Sequence, residues 1–486
     1  MTYDITLTTT LIFIAHWTII IGLSIRVIMR RRPVGVSLAW LAVIFSVPFV
    51  GALIYLFIGE NRMGERYLKR AAAIHNIYTE WQRELQEQAS LAPTTANGEM
   101  TCLRYHAEAV AGFPAMQGNR LQLMHDFESV FESIITDVDN AKNTCHFEFY
   151  IWEVGGMADQ VAEALIRAAG RGVICRVLLD AIGSKDFLKS KLAQRLRDSG
   201  IKLVASMPVG VIKMLMTRVD LRNHRKIIVI DGDIAYTGSQ NLVDPRFFKQ
   251  DEGVGQWIDA MVRMEGPSVE ALGGIFIESW ELDTGAGLEA LESTSGVHPV
   301  AEKGPSAVQV VPSGPAFRPE AIHQLLLTTI YLARRELLIT TPYFVPDDTL
   351  FTALISAAHR GVEVTIVVPS KVDSRLVRYA SRSLFDDLLS AGVQIAGFNG
   401  GLLHTKSITV DGEICVFGSV NLDMRSLWLD FEISLFIYDL NFIAEVRAMQ
   451  AKYIEDSEMM DLNEWRKRSK TQQFIENAAH LVGPLL

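Results

Sequence analysis

The sequence predicts an α/β protein. Two similar α/β/α sandwich lobes with mixed sheets form one active site, behind an N-terminal two-helix membrane anchor. Three observations carry this reading. A His-x-Lys motif with a downstream Gly-Ser-x-Asn occurs twice, 180 residues apart. A strand, helix, strand, helix, strand rhythm leads into both copies, the pattern of layered α/β units. Two uncharged apolar stretches open the chain.

Ile5 to Ile25 carries no charge and one histidine, His16; Gly35 to Gly59 carries no charge and one proline, Pro48. Each is long enough to cross roughly 30 Å of hydrocarbon as a helix. The start Met1-Thr2-Tyr3-Asp4 lacks the basic region of a signal peptide. Residues 1–60 are therefore read as an anchor with two transmembrane helices, which makes the protein multi-pass. Arg30, Arg31 and Arg32 mark the connection, and Arg62, Arg66, Lys69 and Arg70 follow the second stretch. The positive-inside rule draws both groups to the cytoplasmic side. A plain hairpin cannot satisfy both, whereas a re-entrant or interfacial arrangement would.

The 486 residues carry a net charge of −10. Residues 1–70 hold eight Lys/Arg against three acids, a net +5, leaving −15 on the remainder. An acidic soluble part counts against a nucleic-acid partner, which calls for a basic footprint. Cys102, Cys145, Cys175 and Cys415 show no metal-ligand spacing, and three of them lie in apolar runs. Buried, inert thiols are expected rather than a disulfide or zinc site.

Residues 61–105 read as a juxtamembrane linker, polar through 86–100. The first lobe spans 106–283 and the second 307–486, joined by a linker at 284–306. In the first lobe Ala168-Ala169-Gly170-Arg171-Gly172-Val173 precedes the strand-like Ile174 to Leu179. In the second, Ala357-Ala358-His359-Arg360-Gly361-Val362 precedes Glu363 to Val368. The second lobe ends in a basic helix with the run Trp465-Arg466-Lys467-Arg468-Ser469-Lys470, by default a solvated face and otherwise a candidate surface.

The motifs read His224-x-Lys226-x4-Asp231 with Gly238-Ser239-x-Asn241, and His404-x-Lys406-x4-Asp411 with Gly418-Ser419-x-Asn421. Asp231-Gly232 and Asp411-Gly412 are two-residue hairpin signals, because both turn positions need φ > 0. Such turns would set His224 opposite Ser239 and Lys226 opposite Thr237. They would likewise set His404 opposite Ser419 and Lys406 opposite Phe417. The strand period of two puts each histidine and its lysine on one face. Asp231 and Asp411, the third members of the motif, sit at the turns and read as structural rather than as proton carriers. A single His-x-Lys is usually an ordinary strand, but two copies with matching downstream segments point to catalysis.

This pattern resembles the phospholipase D superfamily over about 110–460. The two apolar stretches and the phrases Tyr236-Thr237-Gly238-Ser239, Gly400-Gly401-Leu402-Leu403-His404-Thr405-Lys406 and Asn421-Leu422-Asp423-Met424-Arg425-Ser426-Leu427-Trp428 are closer still to bacterial cardiolipin synthases. The resemblance implies phosphatidyl transfer between two phosphatidylglycerol molecules, giving cardiolipin and glycerol at the bacterial inner membrane. It implies anionic phospholipid partners and no nucleic acid, and leaves the oligomeric state open. It also implies that His224 is the nucleophile and His404 the acid–base group. An acid after each Gly-Ser-x-Asn is expected to orient a histidine; Glu432, 28 residues after His404, and Asp259, 35 after His224, match.

The chemistry supports these roles. A neutral imidazole can attack a phosphodiester to give a phospho-histidine, splitting one displacement into two. A second histidine can give and take the proton. Lys226, Lys406, Asn241 and Asn421 can stabilise the equatorial oxygens. The two lysines supply the charge a metal would give, so neither metal nor cofactor is required, and no cytidine nucleotide donor is expected. Water in the acceptor's place would make a membrane phospholipase D, and phosphatidylethanolamine or another alcohol is an alternative partner. A nucleic-acid phosphodiesterase and an inactive lipid-binding scaffold are the remaining rivals. The first lobe has 23 residues between Gly200 and His224 where the second has 11 between Gly392 and His404. The extra segment holds Val209, Val211, Ile212, Met214, Leu215 and Met216, with Lys213, Arg218, Arg222 and Arg225 nearby. It reads either as an acyl-chain rim or as a core helix of this lobe.

Overall fold

The computed structural model describes residues 2–30, 34–59, 65–88, 98–208, 218, 220–287, 291, 294–315 and 320–483. Two compact units result: Met1–Leu68 with Val209–Leu221, and Lys69–Pro208 with Arg222–Leu486.

In the first unit, Thr2–Met29 is one helix, and Thr8–Met29 within it is long and apolar enough to cross a membrane. The second apolar stretch is not the single spanning helix expected. It divides into Val34–Ser46 and Pro48–Ile58 around Val47, with Pro48 at the helix start. Proline has no N–H to continue a helix but suits a first turn. Among the described residues only one helix meets the length of a span, so the multi-pass expectation is not supported. Arg31, Arg32 and Arg62 lie outside the described residues.

The second unit begins within helix Glu65–Gln88, and helix Gly98–Ala111 follows, where the sequence suggested a linker. Then come Met116–Met124 (β1), Thr144–Phe149 (β2), Ile174–Asp180 (β3), Lys202–Ser206 (β4), Ile227–Ile230 (β5), Ile234–Gly238 (β6), Trp257–Ile258 (β7) and Met261–Glu265 (β8). The repeat follows as Ser306–Ser313 (β9), Glu336–Thr340 (β10), Phe344–Val345 (β11), Glu363–Pro369 (β12), Gln394–Phe398 (β13) and Leu402–Leu403 (β14). Ser407–Val410 (β15), Ile414–Gly418 (β16), Leu422–Asp423 (β17), Glu432–Ile437 (β18) and Ser457–Met459 (β19) complete it.

The lobes do not keep separate sheets. Among the described residues one sheet of fifteen strands runs β19-β13-β12-β10-β15-β16-β18-β9-β1-β8-β6-β5-β2-β3-β4. In each half the strands after a crossover helix pair in parallel and the hairpin pairs antiparallel, a mixed sheet with helices on its faces. Local signals set the helix starts. Asp126, Ser190, Asp347 and Ser374 each accept an N–H from the first turn of the helix they cap. Helix Phe127–Asn140 buries Val130, Phe131, Ile134 and Val138, each worth about 1.5–3 kcal/mol of apolar burial. Cys145, Cys175 and Cys415 are buried in this core, while Cys102 is exposed.

Candidate active site

Each hairpin begins at an aspartate. Asp231 and Gly232 have φ of 53° and 75°, and Asp411 and Gly412 of 55° and 72°, so both turn positions are left-handed. The register nevertheless differs from a two-residue turn. Ile230 pairs with Ile234 and Val410 with Ile414. Asp233 and Glu413 are thus a third loop residue, and every cross-strand partner moves by one. Ile227 therefore faces Thr237, and Ser407 rather than Lys406 faces Phe417.

The turn aspartates do not face the histidines. Asp231 accepts the N–H groups of Lys142, Asn143 and Thr144 at 2.8, 2.6 and 2.8 Å. Asp411 accepts those of Arg334, Arg335 and Glu336 at 2.9, 2.8 and 2.8 Å. Seven residues of extended chain place them about 20 Å from His224 and His404. They anchor the hairpin to the start of the neighbouring strand.

Gly238 and Gly418 allow the adjoining strand to come close. A Cβ at Gly238 would lie 2.4 Å from the Ala260 oxygen, and one at Gly418 would lie 2.2 Å from that of Ile433. The following serines turn towards the same strand. Ser239 donates to Asp259 at 2.6 Å and accepts the Ala260 N–H at 3.0 Å. Ser419 donates to Glu432 and accepts the Ile433 N–H at 2.9 Å. The serines therefore hold carboxylates rather than stand across from the histidines.

Those carboxylates cross between the halves. Glu432, of the second half, accepts from His224 Nδ1 at 2.9 and 3.0 Å. Asp259, of the first half, accepts from His404 Nδ1 at 2.6 Å. Backbone contacts cross in the same sense. His224 N–H donates to the Phe431 oxygen at 2.9 Å, and His404 N–H to the Ile258 oxygen at 2.8 Å. β7, next to Asp259, pairs with β14, next to His404. With Nδ1–H engaged by a carboxylate, Nε2 keeps the free lone pair on each ring.

Lys226 and Lys406 are buried, and each donates to the carbonyl of its own histidine at 2.6 Å. Burial lowers the pKa of Lys226 to about 8 and of Lys406 to about 7, against the pull of Glu432 and Asp259. Burial and the two lysines hold His224 well below the usual imidazole range. Burial also brings His404 down to about 4, with Asp259 pulling the other way. The carboxylates differ. Burial raises Glu432 to about 7. Asp259 is equally buried, but His404, Lys406 and Ser239 more than offset that and keep it below the ordinary range. The site thus sets two imidazoles beside two buried lysines whose ammonium forms burial disfavours and a bound anion would favour, an arrangement that fits a phosphodiester.

Asn241 Oδ1 accepts the Ile151 N–H at 3.1 Å, leaving its amino group for another partner. Asn421 Oδ1 is buried without a partner. Sequence reasoning missed three groups. The Tyr150 ring packs edge-on to His224 at 5.0 Å, and Trp257 packs on His404 at 4.4 Å. Ser426 donates to the second oxygen of Glu432 at 2.7 Å. Ser426 stood inside the motif phrase Asn421 to Trp428, but nothing in its spacing set it apart. Of the extra segment before His224, residues 209–217 lie outside the described ones. Its basic end turns inward: Arg222 pairs with buried Asp180 at 3.3 Å, and Arg225 donates to Ser279 at 2.9 Å. These two arginines do not form a lipid-facing rim.

Residues 134–260 and 326–453 match the family described as cardiolipin synthase, PLD-like domain, and residues 18–60 match the phospholipase D-nuclease N-terminal family. The chain is 45% identical over 471 residues to cardiolipin synthase A of Yersinia pseudotuberculosis serotype IB, covering 97% of each. It is 44% identical over 486 residues to cardiolipin synthase A of Cronobacter sakazakii, covering 100% of each. The fold matches the crystal structure of phosphatidylserine synthase from Haemophilus influenzae with a TM-score of 0.57 at 15% identity, over 79% of this chain and 100% of that one.

Proposed function

The chain belongs to the phospholipase D-like cardiolipin synthases, and from that premise we propose that it joins two phosphatidylglycerol molecules into cardiolipin and glycerol through a phosphatidyl-histidine. It is a phosphatidyltransferase. The observation that carries the finer reading is the crossed pairing of His224 with Glu432 and of His404 with Asp259.

The donor phosphate sits between Lys226 and Lys406, whose protonated forms its charge restores. His224 Nε2 attacks phosphorus, and the bond to the glycerol oxygen breaks. His404 Nε2–H gives its proton to that oxygen, so glycerol leaves neutral. The hydroxyl of the second phosphatidylglycerol then gives its proton to His404 Nε2 and attacks phosphorus. The phosphorus–nitrogen bond breaks, His224 is regenerated and cardiolipin departs.

The electrostatics support the division of labour. The acid–base histidine needs an accessible imidazolium, and Asp259, kept ionised, stabilises one at His404. Burial and the neighbouring lysines keep His224 unprotonated, which suits a nucleophile. Burial first, and the lysines after it, drive the proton from His404; the bound phosphodiester offsets the lysines' share. Asn241 donates to a phosphoryl oxygen. Asn421 Oδ1 takes a hydrogen bond that arrives with the substrate. Ser239, Ser419, Asp259 and Glu432 are positioning residues, and Asp231 and Asp411 hold the scaffold. The enzyme works at the bacterial inner membrane, with Thr8–Met29 as its spanning helix.

Purified protein in mixed micelles with labelled phosphatidylglycerol as the sole lipid tests the reading. Cardiolipin and glycerol in equal amounts, absent with His224→Ala, are expected. Phosphatidic acid and glycerol would make water the acceptor and this enzyme a hydrolase.

A further inference from the structure

The basic run at residues 465–470 is committed within the fold. Trp465 is buried between the guanidiniums of Arg382 and Arg468, at 4.4 and 3.9 Å. Arg466 pairs with Asp386 at 3.0 Å, and Arg468 with buried Glu476 at 2.6 Å. What stays open is the helix that follows, Lys470–His480. Its inner face carries Glu476 and Ala479 against helix Arg375–Ser390, through the Arg382–Glu476 pair at 2.7 Å and the cluster of Val345, Ala380 and Ala479. Its outer face is apolar: Phe474 is 73% exposed and Leu481, just past its end, 80%. Seven residues apart, these two share one side of a helix with Ala478 between them. Ile475 and Val482 are exposed beside them.

A soluble surface rarely leaves such a stripe uncovered. Its neighbours on helix Arg375–Ser390 are basic: Arg375 and Arg378 are exposed around exposed Leu376, and Lys371 is exposed in the preceding loop. Two of the acids nearby are committed, Asp373 bound by Lys249 and Tyr343 and Glu476 by Arg382 and Arg468. An apolar stripe flanked by uncompensated cations matches an anionic lipid surface rather than a neutral protein face. The stripe also lies at the catalytic end of the sheet. A Cβ at Gly483 would lie 3.4 Å from Val345 of β11, and β11 pairs with β17, directly after Asn421.

We propose that the outer face of helix Lys470–His480, together with the basic start of helix Arg375–Ser390, docks on an anionic phospholipid bilayer and turns the catalytic end of the sheet towards it. This rests on the reading that the substrate is a membrane lipid. The test uses the full chain with exposed Cys102 replaced by Ser, in lipid nanodiscs containing phosphatidylglycerol. A bimane label goes on Leu481→Cys or on Glu363→Cys, the latter at the opposite end of β12 from Pro369, and lipid-borne nitroxide acts as quencher. Quenching about threefold or more stronger at 481 than at 363, reduced when the lipid is all phosphatidylcholine or when Arg375→Glu and Arg378→Glu are added, is expected of an interfacial helix. Equal quenching at the two positions overturns the proposal. So does burial of the 481 label by a second copy in lipid-free detergent, which would make the stripe a dimer contact. Quenching in a protein that makes no cardiolipin would uphold the docking surface and reject the proposed reaction.

Discussion

Asp259 and His404 lie 145 residues apart on opposite halves of the duplication, yet share a 2.6 Å hydrogen bond. The reciprocal pair, Glu432 and His224, spans 208 residues. Neither half therefore contains a complete histidine–carboxylate pair. Half of the duplicated site placed alone would leave an unoriented imidazole and a buried carboxylate without its partner.

The crossed geometry assigns Ser239 to the second half's histidine. Asp259→Asn should lower kcat by about 10²–10⁴, the range of a lost acid–base contribution. Ser239→Ala, which reaches His404 only through Asp259, should cost about tenfold, the order of one charge-assisted hydrogen bond. The double variant should be no slower than Asp259→Asn alone. Initial rates on the four proteins decide this, and multiplying losses would show that Ser239 touches the substrate itself.

How much of this was legible depends on the range of the interaction. The hairpins, the two histidines and the two lysines could be read because the motif is local and repeated. The single-residue slip in register could not, because the loop count turns on whether Asp233 and Glu413 join the strand or the turn. The crossing was also out of reach: both acids were identified through the family resemblance, but position along the chain does not say which lobe's histidine an acid will meet. Pro48 was visible as a helix breaker, although its stretch read as one span by hydropathy. The outward face of Lys470–His480 was hidden behind the more conspicuous basic run before it, whose cations the fold consumes.

If His404 serves as the acid, its loss should depend on the leaving group. His404→Ala should form almost no covalent intermediate from phosphatidylglycerol. It should form a phosphatidyl-enzyme from a phosphatidyl ester of para-nitrophenol, whose leaving oxygen needs no proton. Intact-mass measurement after rapid quench would show the adduct, and His224→Ala should show none with either donor. An adduct in His224→Ala that is lost in His404→Ala would exchange the two roles.

The turn aspartates should behave as structure. Asp231→Ala removes the acceptor of three backbone N–H groups and should cost roughly 2–4 kcal/mol. Denaturant unfolding should report that loss. Turnover per folded molecule should stay close to wild type, and a collapse of kcat in a protein that keeps its stability would place Asp231 in the catalytic set.

Lys406 sets function against stability. Its pKa falls from 10.5 to about 7, and that of Lys226 to about 8, chiefly because both are buried. Between pH 8 and 10 the unfolded chain holds protons on these lysines that the native state has released. The unfolded state binds more protons there, so stability rises with pH across that window. The raised carboxylates Glu432, near 7, and Asp430, near 8, act in the opposite sense but only below it. Lys406→Met keeps the volume and removes a buried cation. It should raise Tm at pH 7, flatten the rise between pH 8 and 10, and lower kcat/KM by about 10²–10³, the loss expected for one donor to the transition state. A phosphate analogue such as tungstate should raise the wild-type Tm at pH 7 by restoring an anion to the two lysines, and should do so less in the variant. Differential scanning fluorimetry across the pH range, with and without the oxyanion, measures all of these shifts. A Tm that drops in Lys406→Met would mean that the protein's own carboxylates already compensate the cation, and that the site does not need an anionic phosphodiester to do so.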